Sequence, residues 1–109
     1  MIARLWRGQA TVDKADAYVR HATQTVFPAL QDIAGHRGAY LLRRETEQGV
    51  EFLALTLWDS LDAVRGFAGS HVETAIVAPE ARGVLTDFDD VARHYEVATS
   101  ANLSSRPSV

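Results

Sequence analysis

Apolar and polar positions along the chain spell one pattern twice. A short alternating stretch ends in Leu-Trp, a polar turn follows, and an amphipathic helical stretch comes next. Leu5-Trp6 leads through Gly8-Gln9-Ala10-Thr11 into a helix expected from about Asp13, and Leu57-Trp58 leads through Asp59-Ser60 into one expected from about Leu61. A further strand follows each unit, which gives the order β-α-β-β-α-β. In such a split β-α-β arrangement the first and third strands lie side by side, and both helices cover one face of a four-stranded antiparallel sheet. The opposite face then needs cover of its own.

The first strand, about residues 2–9, sets Ile2, Arg4 and Trp6 against Ala3, Leu5 and Arg7. An arginine on each face implies that both faces are partly covered. Asp13 is expected to cap the first helix, with Asp16 adding charge that its dipole favours. Ala15, Tyr18, Val19, Ala22 and Val26 form its apolar stripe. Pro28 should kink or restart the helix, and Gly35 should stop it. Residues 36–45 and 50–58 read as a hairpin around Thr46-Glu47-Gln48-Gly49. Its second arm carries Phe52, Ala54, Thr56 and Trp58 on one face and Glu51, Leu53, Leu55 and Leu57 on the other, as in a strand covered on both sides.

The second helix, about residues 61–68 with Asp59 or Ser60 as cap, is expected to turn Leu61, Val64, Phe67 and Ala68 inward. Residues 70–79 are irregular, with room for one helical turn over 71–75; Pro79-Glu80 opens a short helix through Leu85; the last strand is expected over about 89–97. Residues 1–98 thus read as one domain, and 99–109 as a flexible tail with little to bury.

Composition narrows the functional classes. The 109 residues suit a single domain. A net charge of -3 and scattered Lys and Arg give no concentrated basic surface, so no nucleic-acid partner is expected. The absence of cysteine excludes disulfides, thiolate zinc sites and a cysteine nucleophile. Charges interrupt the apolar N-terminal stretch and no apolar run approaches the ~20 residues of a membrane span, so the expected location is cytoplasmic with no membrane partner. His21, His36, His71 and His94 lack the spacing of a metal motif, and no metal is expected.

The segment Leu55-Thr56-Leu57-Trp58-Asp59-Ser60-Leu61-Asp62-Ala63-Val64, followed by Phe67-Ala68 and a closing His94-Tyr95-Glu96-Val97 strand, resembles the antibiotic biosynthesis monooxygenase-like family. The likeness spans residues 1–97 and rests on packing and capping residues. It implies an α+β, ferredoxin-like βαββαβ fold whose four-stranded antiparallel sheet pairs with that of a second copy into a homodimeric α+β barrel. Some members oxygenate polycyclic aromatic substrates without metal or flavin, while others open haem or serve as binding or accessory domains. Haem-opening members use an Asn on the first strand, a Trp in the second helix and a His after it; the corresponding positions here hold Trp6, Phe67 and Val77, and none matches. The implied function is a cofactor-independent monooxygenase-like protein acting on a hydrophobic, aromatic small molecule between sheet and helices. The alternative is a non-catalytic ligand-binding or accessory protein of the same fold.

Arg4, Trp6, Phe27, Phe67 and His71 are the candidate ligand-binding residues. Trp6, Phe27 and Phe67 could line a flat apolar pocket or fill the core, whereas Trp58 and Phe52 read as core. Arg4 shares a strand face with Trp6, and a buried guanidinium calls for an anion or other acceptor nearby, which makes Arg4 a candidate for stabilising an anionic substrate. His71, on the irregular segment beside the second helix, is either the catalytic base or a solvated loop residue, and His94 reads as a structural or interface hydrogen bond.

Overall fold

The computed structural model describes residues 1–101. Along the chain come β1 (Ile2–Ala10), α1 (Val12–His21), a π-helical turn (Ala22–Val26), α2 (Phe27–Gln31), β2 (His36–Thr46), β3 (Gly49–Trp58), α3 (Leu61–Ala68), α4 (Pro79–Arg82), β4 (Asp87–Phe88) and β5 (Arg93–Glu96). The sheet is antiparallel in the order β2-β3-β1-β4, with β5 also paired to β1. As the doubled pattern requires, the first and third strands are neighbours, in register from Ile2 opposite Trp58 to Ala10 opposite Val50.

The expected single last strand is instead two short ones, so the sheet has five strands rather than four. β4 pairs with Gly8 and Gln9, β5 with Ile2 to Leu5. Between them the backbone leaves the ladder for other partners: the Ala92 N–H donates to the Glu73 carbonyl at 2.7 Å, and Thr74 bridges to Val91. That detour ties residues 70–78 to the sheet and replaces the helical turn expected there.

Local chemistry explains the helices. Thr11, not Asp13, takes the N-cap position of α1, leaving Asp13 in the first turn where the dipole favours it. Pro28 breaks nothing, because the turn before it widens to the π form, with the Phe27 N–H donating to the Ala22 carbonyl. Wider spacing gives the ring room, and Pro28 falls in the first turn of α2, where its missing N–H is not needed. Ser60 Oγ caps α3 by accepting from the Ala63 N–H at 3.2 Å, as its sequence position predicts. Leu61, expected to point inward, is 39% exposed, while Val64 is fully buried. The short helix after Ala78 ends at Arg82 rather than Leu85. Gly35 has φ 86°, and a Cβ there would lie 2.5 Å from that of Ala63; glycine is needed for α3 to pack against this turn.

Two buried clusters lie on the helix-covered face. Ala10, Ala15, Tyr18, Val50, Phe52, Ala81 and Leu85 form one, and Leu30, Trp58, Val64 and Val72 the other. The other face bears the side chains of Leu53, Leu55 and Leu57, with Tyr40 and Leu42 opposite Leu55 and Leu53 and with Tyr95 opposite Ala3. Tyr40, Leu42 and Tyr95 are 47–51% exposed there. Among the described residues no helix is long and apolar enough to cross a membrane. Of the expected tail, Thr99 to Ala101 are exposed without regular structure, and residues 102–109 lie outside the described residues.

Candidate functional site

A cavity of about 260 Å³ separates the two clusters. Its position follows from one strand face. Along β3 the inward residues run Phe52, Ala54, Thr56, Trp58, large at both ends and small in the middle. The short side chains of Ala54 and Thr56 leave the space that Phe52 and Trp58 fill on either side, and both line the cavity. Arg4 and Trp6 stand opposite Thr56 and Ala54 on β1 and complete the sheet wall. Tyr18, His21, Phe27 and Leu30 from the long helical segment, Phe67 from α3, and Ile76 to Ala78 supply the other walls.

Four of the five expected ligand-binding residues therefore converge: Arg4, Trp6, Phe27 and Phe67 all line one cavity. His71 does not. It is exposed, outside the lining, and the histidine that reaches the cavity is His21. The widened helical turn places Thr25 and Val26 in the lining beside His21 and Phe27. Sequence reading assigned Tyr18 to a packing stripe and passed over His21. The small pair Ala54-Thr56 between Phe52 and Trp58 was the signal that the helix opposite it would face a gap.

Arg4 is 5% exposed and meets acceptors other than an anion. Its Nη1 donates to the Val72 carbonyl and lies 3.0 Å from His94 Nε2, and its Nη2 donates to the Thr74 carbonyl at 3.0 Å. The guanidinium also sits 5.5 Å from the Phe67 ring centroid. Burial lowers the Arg4 pKa and the charge of Glu73 works against that shift, but an arginine remains protonated throughout the physiological range. His94 must then accept, which requires a neutral ring with its proton on Nδ1. Its pKa agrees in direction, lowered first by burial and then by the Arg4 charge. This is the structural hydrogen bond expected of His94. Arg4 thus ties the irregular segment to the sheet and leaves its positive charge on the cavity wall.

The aromatic walls are anchored too. Trp6 Nε1 donates to the Asp89 carbonyl at 2.7 Å, and its ring lies across Gly8, where a Cβ would come within 3.0 Å of it. Trp58 Nε1 donates to Thr56 Oγ1 at 2.9 Å, which fixes that hydroxyl in the cavity floor. Phe67 stacks on Trp58 with centroids 6.1 Å apart. Among the described residues no cluster of His, Cys, Asp or Glu is arranged to hold a metal.

No protein-family model and no curated protein matches the sequence. Solved structures do. A protein provisionally assigned as an antibiotic biosynthesis monooxygenase from Bacillus cereus superposes with a TM-score of 0.67 at 14% identity, covering 96% of this chain and 98% of its own. The chain has the antibiotic biosynthesis monooxygenase-like fold. A monooxygenase from Streptomyces coelicolor in complex with nanaomycin D matches with a TM-score of 0.62 at 14% identity, over 94% of this chain and 92% of its own. A variant of MhuD holding two manganese protoporphyrin IX molecules per active site matches at 0.64 and 17%, over 94% and 99%. At these identities the likeness establishes architecture, and the site must carry any statement about activity.

Proposed function

We propose that the protein is a homodimer that binds a small hydrophobic, aromatic molecule in the cavity between its two buried clusters and oxygenates it without a metal or organic cofactor. The observation that carries this reading is the cavity itself: a gap walled by Trp6, Phe27 and Phe67, with one buried positive charge on its side. A ligand that has lost a phenolic proton supplies electrons to dioxygen. One oxygen atom becomes a carbonyl on a ring carbon, and the other leaves as water, which takes up the phenolic proton and the one hydrogen that carbon loses. The protein's part is to bind, exclude water and favour the anion. Arg4 does the last through its field, since both its terminal nitrogens already donate to carbonyls, and His21 is the cavity group suited to take the proton.

Dimerisation rests on the open sheet face. Leu5, Leu53, Leu55, Leu57, Tyr40, Leu42 and Tyr95 share it, a contiguous apolar patch of the kind that soluble monomers rarely leave uncovered. Pairing identical faces about a two-fold axis buries it and closes a barrel. Sedimentation equilibrium at micromolar concentration is expected to give twice the 12.0 kDa chain mass; a folded species at the single-chain mass removes the barrel.

A second reading, a non-catalytic binding or accessory protein, is favoured by one feature: among the described residues no carboxylate lines the cavity to pair with a histidine. Oxygen uptake over a panel of polycyclic hydroquinones and anthrones separates the two. Uptake above the protein-free rate is expected; binding without uptake across the panel decides for the second reading.

A further inference from the structure

Tyr18 carries a hydroxyl that the fold leaves unused. The side chain is 6% exposed, lines the cavity, and packs on Phe52 at 4.8 Å and Trp6 at 6.5 Å between ring centroids. Among the described residues its hydroxyl has no hydrogen-bond partner, yet it is not one of the polar atoms sealed in the interior without one. It therefore keeps some exposure, on a residue that lines the cavity. Of the other deep polar groups there, Arg4 donates to two carbonyls and meets His94, and Thr56 Oγ1 is held in place by accepting from Trp58 Nε1. Thr25 is exposed, at the mouth. Burying a hydroxyl without a partner is costly, and an empty apolar gap is a poor place to keep one. Desolvation also pushes the Tyr18 pKa up to about 12, so at neutral pH it stays an uncharged donor.

We infer that Tyr18 is the specificity-determining residue of this cavity, donating its O–H to an acceptor oxygen on an otherwise apolar ring compound. The inference rests on the cavity being a ligand site and adds what that site selects. Aromatic and aliphatic walls hold any ring of suitable size, whereas a buried donor distinguishes a ring bearing a ketone or phenolic oxygen from the bare hydrocarbon. A site built to donate rejects a ligand that leaves the donor unpaired.

The test is a matched pair of probes, 1-tetralone and tetralin, which share a bicyclic skeleton and differ in one carbonyl oxygen. Both are titrated into the isotope-labelled full chain while the amides of Ala54 and Ala78 are followed by NMR. The wild type is expected to bind the ketone about three- to tenfold more tightly, the range that one hydrogen bond supplies. Tyr18→Phe keeps the ring packing; it should lower ketone affinity toward that of the hydrocarbon and leave tetralin binding no weaker. Equal affinity of the wild type for both probes, or equal loss of both in the variant, overturns the role of Tyr18 while the cavity remains a ligand site. If neither probe shifts the cavity amides in the wild type, the ligand-site reading itself falls and takes this inference with it.

Discussion

The two buried clusters use the same sheet face but fill it differently. Around Phe52, seven buried residues from β1, α1, β3 and the segment through Leu85 close tightly, and Tyr18 lies with its ring on Phe52. Around Trp58 the buried set is four residues, Trp58 included, with Phe67, Phe27, Val26 and Ile33 among the partly buried side chains packed on them. The first helical unit runs unbroken from Val12 to Gln31 and spans both clusters, whereas the second unit supplies the eight residues of α3 and then an irregular segment. A repeated sequence pattern therefore builds the frame, and the departure of the second repeat from it leaves the gap. The proposed site lies where the symmetry fails.

Breaking either end should cost most. Trp58→Ala and Phe52→Ala each remove a side chain with no exposure and should lose about 3–5 kcal/mol in a denaturant melt. If the clusters belong to one cooperative unit, both variants will unfold in a single transition by fluorescence and circular dichroism alike. Two transitions in Phe52→Ala would show that the cavity divides the domain energetically as well as spatially.

Joining the clusters is the complementary experiment. Ala54→Leu puts a branched side chain into the gap between Phe52 and Trp58. Since the space is empty rather than packed, the change in stability should stay within about 1 kcal/mol of wild type, and ligand affinity should fall at least tenfold. A loss of several kcal/mol would mean that the floor is already filled.

Much of the frame was legible in the sequence because it depends on local chemistry. The Ser60 cap, the hairpin at Glu47-Gln48 and the alternation along β3 each follow from a few adjacent residues. The π turn before Pro28, the split of the last strand and the fate of Arg4 were not legible, since each is settled by groups far away in sequence: Arg4 binds carbonyls 68 and 70 residues on. His71 was chosen for lying on an irregular segment, but that segment is held by Arg4 and Ala92 in a course that leaves His71 outside. Which histidine faces a cavity depends on helix phase, and a turn of π geometry alters that phase.

Phe67→Ala sharpens the boundary between core and site. Phe67 is half-buried, with one face on Trp58 and a guanidinium near it, so its loss should cost about 1–2 kcal/mol, well short of a fully buried aromatic. Affinity for an aromatic ligand should fall in parallel. A loss as large as that of Trp58→Ala would move Phe67 into the core and shrink the site.

Acid should have the smallest effect, and on the Trp58 side it has a defined cause. His36 packs edge-on to Trp58 at 5.0 Å, and burial lowers its pKa below the ordinary 6.5; His94, beside Arg4, is lowered in the same direction. A histidine whose folded pKa is depressed binds protons more readily when unfolded, so its contribution is complete above pH 6.5 and is lost as pH falls toward the folded value. Glu51 and Asp59, held below the usual carboxylate range by Arg44 with Arg7 and by Arg37, add their own loss only at more acid pH. Urea midpoints measured between pH 7.5 and 5.5 should therefore decline through the histidines alone. His94→Gln, which keeps an acceptor for Arg4 but cannot titrate, should flatten part of that decline; a slope identical to wild type would show that His94 does not carry it.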